Sequence, residues 1–169
     1  MSKFVMIIFG ASGDLTKRKL MPALYSLYKD NRLPEGFAIL GIGRTDYADE
    51  TYRDYILNEL EHFVTPAEVG MKEFCTHLHY LSMDPAIEEG YGTLDSHLQE
   101  ITGEKKPDNL LFYLATPPSL YGVIPLHLKT AGLNRKHTRI IVEKPFGYDL
   151  KSAQELNHIY ASVFEESQI

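Results

Sequence analysis

Five short apolar blocks punctuate the chain, at residues 5–9, 37–42, 79–83, 109–114 and 139–142. Each is too short for a helix. The fourth, Asn109-Leu110-Leu111-Phe112-Tyr113-Leu114, is apolar nearly throughout, the composition of a strand covered on both faces. The stretches between them carry helical spacing. Residues 15–31 put Leu20, Leu24, Leu27 and Tyr28 on one face, with Pro22 early, where a missing N–H costs least. Helices are also predicted over 51–60, from a Thr65 and Glu68 capping box with Pro66 at the first helical position, and over 87–101 despite Gly90 and Gly92. Two more are predicted, over 119–131 with a kink at Pro125, and from an Asp149 cap to the C-terminus. Such alternation predicts an α/β fold, a doubly wound parallel sheet with helices on both faces. Ligands in these sheets bind beyond the carboxyl ends of the strands. The unusual loops GASGD, GRT, MDP, ATPPS and EKPFG all fall there.

The first block ends in Gly10-Ala11-Ser12-Gly13-Asp14, and a helix begins at Leu15. A tight glycine turn into a helix N-terminus leaves N–H groups unpaired at the positive end of the helix dipole, a seat for phosphate or pyrophosphate. The spacing is G-x-x-G-x-x-T, with Thr16 where the dinucleotide fingerprint has a third small residue. It is not a P-loop, because Gly13 is not followed by the required lysine and hydroxyl residue. The competing reading is an ordinary strand-to-helix turn that needs only glycine dihedrals.

Arg44 shifts that balance. A site selective for NAD places a carboxylate at the end of the second strand. Here that strand closes in Gly43-Arg44-Thr45, with no carboxylate before Asp46. A guanidinium there can pair with a 2′-phosphate and stack on adenine, which points to NADP. Lys17, Arg18 and Lys19 crowd the first turns of a helix whose dipole disfavours cations, so nearby anions are expected, with at least one of the three simply solvated. In Glu143-Lys144-Pro145-Phe146-Gly147 the lysine ends a strand, and a cis proline could fix its direction. Thr116-Pro117-Pro118 reads either as a rigid loop along the nicotinamide half of a ligand or as punctuation, and Tyr121 follows it at the ligand edge.

Composition narrows the class. With 169 residues and 44% hydrophobic content the chain suits one domain with one good core. A net charge of −6, from 17 basic and 23 acidic residues, argues against broad nucleic-acid binding. No stretch approaches the roughly 20 apolar residues of a membrane span. One cysteine, Cys75, allows no intramolecular disulfide and fits a reducing cytosolic setting, where it is expected to be a helix-face core residue. His77 and His79 share a strand face without a third ligand, so no metal is expected. The tyrosines, Tyr25, Tyr28, Tyr52, Tyr55 and Tyr113 among them, read mostly as packing.

Assembled, these motifs resemble the coenzyme domain of the glucose-6-phosphate dehydrogenase family. The matching residues are Gly10 through Lys19 (GASGDLTKRK), Gly43-Arg44, the LFYLATPP run from Leu111, and EKPFG from Glu143, in order and spacing across essentially the whole chain. The resemblance implies a Rossmann-like fold, NADP as cofactor, and a cytoplasmic oxidoreductase that oxidises glucose 6-phosphate at C1 to 6-phosphoglucono-δ-lactone, the first step of the pentose phosphate pathway. It implies that Gly10, Ala11, Ser12, Gly13, Asp14 and Leu15 hold the pyrophosphate and Arg44 the 2′-phosphate. Ala115, Thr116 and Pro117, with Asp84 and Tyr121, would complete the coenzyme site. Lys19 and Lys144 would stand where coenzyme and sugar phosphate meet, with Pro145 orienting the two ligands.

The family's next motif, an Arg-Ile-Asp-His-Tyr-Leu-Gly-Lys stretch that binds the substrate phosphate, does not occur in residues 1–169, and neither does its later general-base histidine. The expectation is an NADP-binding domain over 1–169 without its C-terminal catalytic domain, binding coenzyme but not turning over. The intact protein is expected to be a homo-oligomer and this piece a monomer. Two other readings stay open: a free-standing NADP-binding or redox-sensing module, and another sugar oxidoreductase with a Glu-Lys-Pro loop.

Overall fold

All five apolar blocks are strands of one parallel sheet. The structure, a computed structural model, describes residues 2–64 and 70–169. The strands are β1 (Val5–Phe9), β2 (Ala38–Gly43), β3 (Leu78–Ser82), β4 (Leu110–Leu114) and β5 (Arg139–Val142), ordered β3-β2-β1-β4-β5. The order reverses between β1 and β4, which opens the crevice where doubly wound sheets bind nucleotides. Register brings the carboxyl ends level, with Phe9 opposite both Ile42 and Leu114, and Leu114 opposite Val142.

Alternation along each strand feeds two cores. Val5, Ile7, Phe9, Leu40, Ile42, Phe112 and Leu114 face one side and are covered by α4 (Gly90–Thr102), α5 (Val123–Thr130) and α6 (Leu150–Val163). Met6, Ile8, Ile39, Leu78 and Tyr80 face the other, under α1 (Met21–Lys29), α2 (Asp49–Phe63) and α3 (Gly70–Cys75). This two-sided burial is why the strands read as nearly continuous apolar runs. Helices on both faces make the sheet doubly wound, as the alternation predicts.

Several boundaries differ from the sequence reading. The first helix opens through a π-helical turn, Thr16–Leu20, in which the Met21 N–H reaches the Thr16 carbonyl. That wider turn directly precedes Pro22, whose ring would otherwise press on the carbonyl of residue 18. The segment predicted over 119–131 is split into a short 3₁₀ turn, Pro118–Leu120, and α5. Pro125 falls in the first turn of α5, where no N–H is needed, so it makes no kink. Asp149 does cap α6, accepting from the Ser152 N–H at 2.8 Å, but α6 stops at Val163 and a 3₁₀ turn, Glu166–Gln168, follows. The Thr65 and Glu68 capping box lies outside the described residues.

Candidate functional site

The glycine turn is held by its neighbours before any ligand arrives. Gly10 sits at φ +91°, and a Cβ there would lie 2.3 Å from the Ala115 carbonyl oxygen, so only glycine fits where the β1 and β4 loops cross. The Gly10 and Ala11 N–H groups are not free, as the sequence reading has them. Both donate to the Ile42 carbonyl, at 2.9 and 3.0 Å, and stitch the turn to the end of β2. The Gly13 N–H and the Thr16 hydroxyl then both donate to the Gly10 carbonyl, at 3.1 and 2.8 Å.

The free donors lie one step further on. The Lys17 N–H is bonded to the Gly13 carbonyl at 3.1 Å, which makes Gly13 the cap and leaves the Asp14, Leu15 and Thr16 amides without intrahelical acceptors. The anion expected beside the basic run is Asp14 itself, 3.6 Å from the Lys17 amine and 3.8 Å from the Arg18 guanidinium. Among the described residues Lys19 alone of the three forms no ion pair.

A cleft of about 440 Å³ opens at the carboxyl ends of β1, β2 and β4. Gly10, Ser12, Gly13, Gly43 and Arg44 form one side. Asp84, Pro85, Ala86, Ala115, Thr116, Pro117, Ser119 and Leu120 form the rest. Arg44 is exposed on its rim and makes no ion pair or hydrogen bond among the described residues. The Thr116 Oγ1 is buried in the wall without a hydrogen-bond partner among those residues. Buried polar atoms are normally satisfied, so an orphan facing a cleft suits a polar ligand. An accessible glycine turn at a helix N-terminus, a guanidinium unpaired among the described residues and an orphan hydroxyl together fit a phosphorylated dinucleotide.

Not every candidate reaches this cleft. Ala11 is fully buried and Leu15 packs into the core beneath the turn. Tyr121 is 3% exposed and lies in the core between the sheet and its α4–α6 cover, away from the cleft lining. Lys144 is exposed at the end of β5, outside that lining, and the Lys144–Pro145 bond is cis. None of the chain's 7 histidines lines the cleft. His77 precedes β3 and stacks on Phe37 at 4.3 Å, while His79 pairs with Asp49. Cys75 is buried in α3, and burial pushes its thiol up to about 12. No described helix is long and apolar enough to cross a membrane.

The tyrosines are more than packing. Buried Tyr52 donates to the Ala11 carbonyl at 3.0 Å, and Tyr55 reaches the Ser12 carbonyl at 3.3 Å. Tyr80 donates to the Thr45 carbonyl at 2.6 Å and Tyr91 to the Pro85 carbonyl at 2.7 Å. Tyr113 donates to the Glu143 carboxylate. Each of these loops stands at the carboxyl edge, and each is gripped from below by a phenol.

A family model described as the NAD binding domain of glucose-6-phosphate dehydrogenase matches residues 7–169. Among curated relatives, the glucose-6-phosphate 1-dehydrogenase of Aggregatibacter actinomycetemcomitans is 45% identical over 168 residues, covering 97% of this chain and 34% of its own length. That of Treponema pallidum is 40% identical over 171 residues, covering 97% and 33%. A solved glucose-6-phosphate dehydrogenase in complex with its substrate glucose-6-phosphate superposes with a TM-score of 0.85 at 36% identity, over 99% of this chain and 35% of that one. The enzyme from Mycobacterium avium does so with a TM-score of 0.84 at 31% identity, over 99% and 35%. The chain therefore spans about a third of the length of the relatives it matches. With a Rossmann-type parallel sheet and a family model matched over residues 7–169, the chain belongs to the glucose-6-phosphate dehydrogenase family, as its coenzyme-binding domain.

Proposed function

We propose that this domain binds NADP and serves the oxidation of glucose 6-phosphate to 6-phosphoglucono-δ-lactone in a longer parent protein. The observation that carries the coenzyme choice is Arg44, unpaired among the described residues on the rim of the cleft that contains the glycine turn. The accessible part of the glycine turn, Ser12, Gly13 and the Asp14 amide, would hold the pyrophosphate, the Arg44 guanidinium the 2′-phosphate, and Thr116 a polar group further along the wall. Bound NADP supplies the hydride acceptor. Lys19 and Lys144, both exposed and outside the nucleotide cleft, are assigned to the sugar phosphate, and Pro145 to the orientation of Lys144. Asp84 stays with the coenzyme as part of the wall, whereas buried Tyr121 would act only through packing.

Removing hydride from an alcohol requires a base for the hydroxyl proton. No histidine lines the cleft, so residues 1–169 alone would bind coenzyme without turnover. A cytoplasmic setting and the first step of the pentose phosphate pathway accord with the relatives' names and a single, buried cysteine. Calorimetric titration with NADP and NAD tests the reading. NADP should bind more tightly, and Arg44→Ala should cost about 1.5–3 kcal/mol of NADP binding while leaving NAD nearly unchanged. Equal affinities for the two coenzymes would overturn it.

A further inference from the structure

The two loops that the NADP reading needs, one for the pyrophosphate and one for the 2′-phosphate, come from different strands and, among the described residues, share no side-chain bond in the cleft itself. They are joined underneath. Tyr52 on α2 and Tyr80 in the middle of β3 pack against each other, their rings tilted by 37° with centroids 4.8 Å apart, and both are buried. From that shared base the Tyr52 hydroxyl donates to the Ala11 carbonyl in the glycine turn at 3.0 Å. The Tyr80 hydroxyl donates to the Thr45 carbonyl at 2.6 Å. Arg44 is thereby held between two anchored carbonyls, since the Gly43 carbonyl accepts from the Met83 N–H at 2.9 Å. Tyr47, edge-on to Tyr80 at 5.3 Å, closes the outer side of the pair.

We propose that Tyr52 and Tyr80 form a paired anchor in which Tyr80 positions Arg44 and sets the preference for a 2′-phosphorylated coenzyme, while Tyr52 positions the pyrophosphate turn. This rests on the reading of Arg44 as the 2′-phosphate ligand. The division of labour follows from the acceptors. A hydroxyl that holds only Thr45 can affect only what Arg44 does, whereas one that holds Ala11 affects the phosphates common to both coenzymes. Preorganised loops bind better because their ordering cost is met before the ligand arrives. Burial, with Tyr47 and Asp46 adding to it, pushes the Tyr80 phenol up to about 12, so it remains a donor through the neutral range.

The test is a set of calorimetric titrations with NADP and NAD on the chain, Tyr80→Phe, Tyr52→Phe, Arg44→Ala and the Tyr80→Phe/Arg44→Ala double variant. Each phenylalanine keeps the ring and removes one hydrogen bond, an expected loss of about threefold to tenfold where the bond matters. Tyr80→Phe should lose that much NADP affinity and no NAD affinity, and should add nothing to Arg44→Ala. Tyr52→Phe should weaken both coenzymes alike and leave their ratio unchanged. If Tyr80→Phe weakens both equally, or neither, the anchor is structural only and the inference fails while the Arg44 reading stands. If the parent chain shows no preference for NADP, or Arg44→Ala leaves it intact, the Arg44 reading fails and this inference falls with it. Should Tyr80→Phe not fold by thermal melting, Gly43→Ala offers a second approach, because its Cβ would stand 2.9 Å from the same hydroxyl. It should show the same selective loss, and an unchanged ratio would overturn the proposal.

Discussion

The Thr16 hydroxyl donates to the Gly10 carbonyl at 2.8 Å, across the mouth of the glycine turn. Thr16 occupies the place of a third small residue and is fully buried, so the departure from the dinucleotide fingerprint is a clasp and not a gap. The turn closes on itself through one carbonyl that receives both this hydroxyl and the Gly13 N–H. Thr16→Val keeps the shape and removes the donor. It should cost about 1 kcal/mol in urea denaturation, with Thr16→Ser recovering most of the loss.

The two glycines of the turn should separate by what they lose. Gly10→Ala meets both a positive φ and a carbonyl oxygen 2.3 Å from the new Cβ, and should cost about 2–5 kcal/mol of stability. Gly13 has no such φ, and its Cβ would approach only the Gly10 carbonyl, at 3.3 Å. Gly13→Ala should change stability by less than about 1 kcal/mol, yet weaken coenzyme binding, because Gly13 lines the cleft. Parallel melts and titrations of the two variants check the contrast.

How much of this was legible in the chain depends on whether the cause is local. Burial of strands on both faces leaves its mark residue by residue, so β1 and β5 coincide with their predicted blocks, β4 starts one residue later, and β2 and β3 are displaced by one residue. Arg44 and the glycine turn stood out for the same reason: strand end, turn and helix start are contiguous. The tyrosine anchors did not stand out, because Tyr52 and the Ala11 carbonyl lie 41 residues apart and meet only once β1 and β2 are paired. The N–H groups of Gly10 and Ala11 look free in the sequence on the same account, since their acceptor, Ile42, belongs to another strand. The π-turn before Pro22 needed knowledge of where the helix began, which the Gly13 cap decides.

His79 gives the fold a pH dependence of definite sign. Asp49, in the first turn of α2, accepts the Tyr80 N–H at 2.8 Å and lies 3.2 Å from the His79 Nδ1, tying α2 to edge strand β3. Burial lowers the His79 pKa below its ordinary value, more than nearby Asp49 raises it. The unfolded chain therefore takes up its proton first as the pH falls. The stabilising contribution is fully present above about 6.5 and is lost as the pH drops from there through the folded-state value. Chemical denaturation between pH 7.5 and about 5 should show that decline, and His79→Gln, which cannot titrate, should flatten it.

Tyr113 and Glu143 should decide how firmly the lysine loop is held. The Tyr113 hydroxyl, on β4, donates to the Glu143 carboxylate at the end of β5, and Lys144 is the next residue. Tyr113 is 9% exposed, so its bond to a charged acceptor is largely shielded from water. Lys144 itself is exposed and has no ion-pair partner among the described residues, so its placement depends on the backbone beside it. Tyr113→Phe should therefore leave the sheet intact at a cost of about 1–2 kcal/mol, and speed amide exchange from residue 143 to 147 well beyond that of β4. Exchange that rises equally across β4 and β5 would show a general loosening of the sheet instead. A loop that exchanges no faster than in the parent chain would mean that Glu143 is held by its backbone alone.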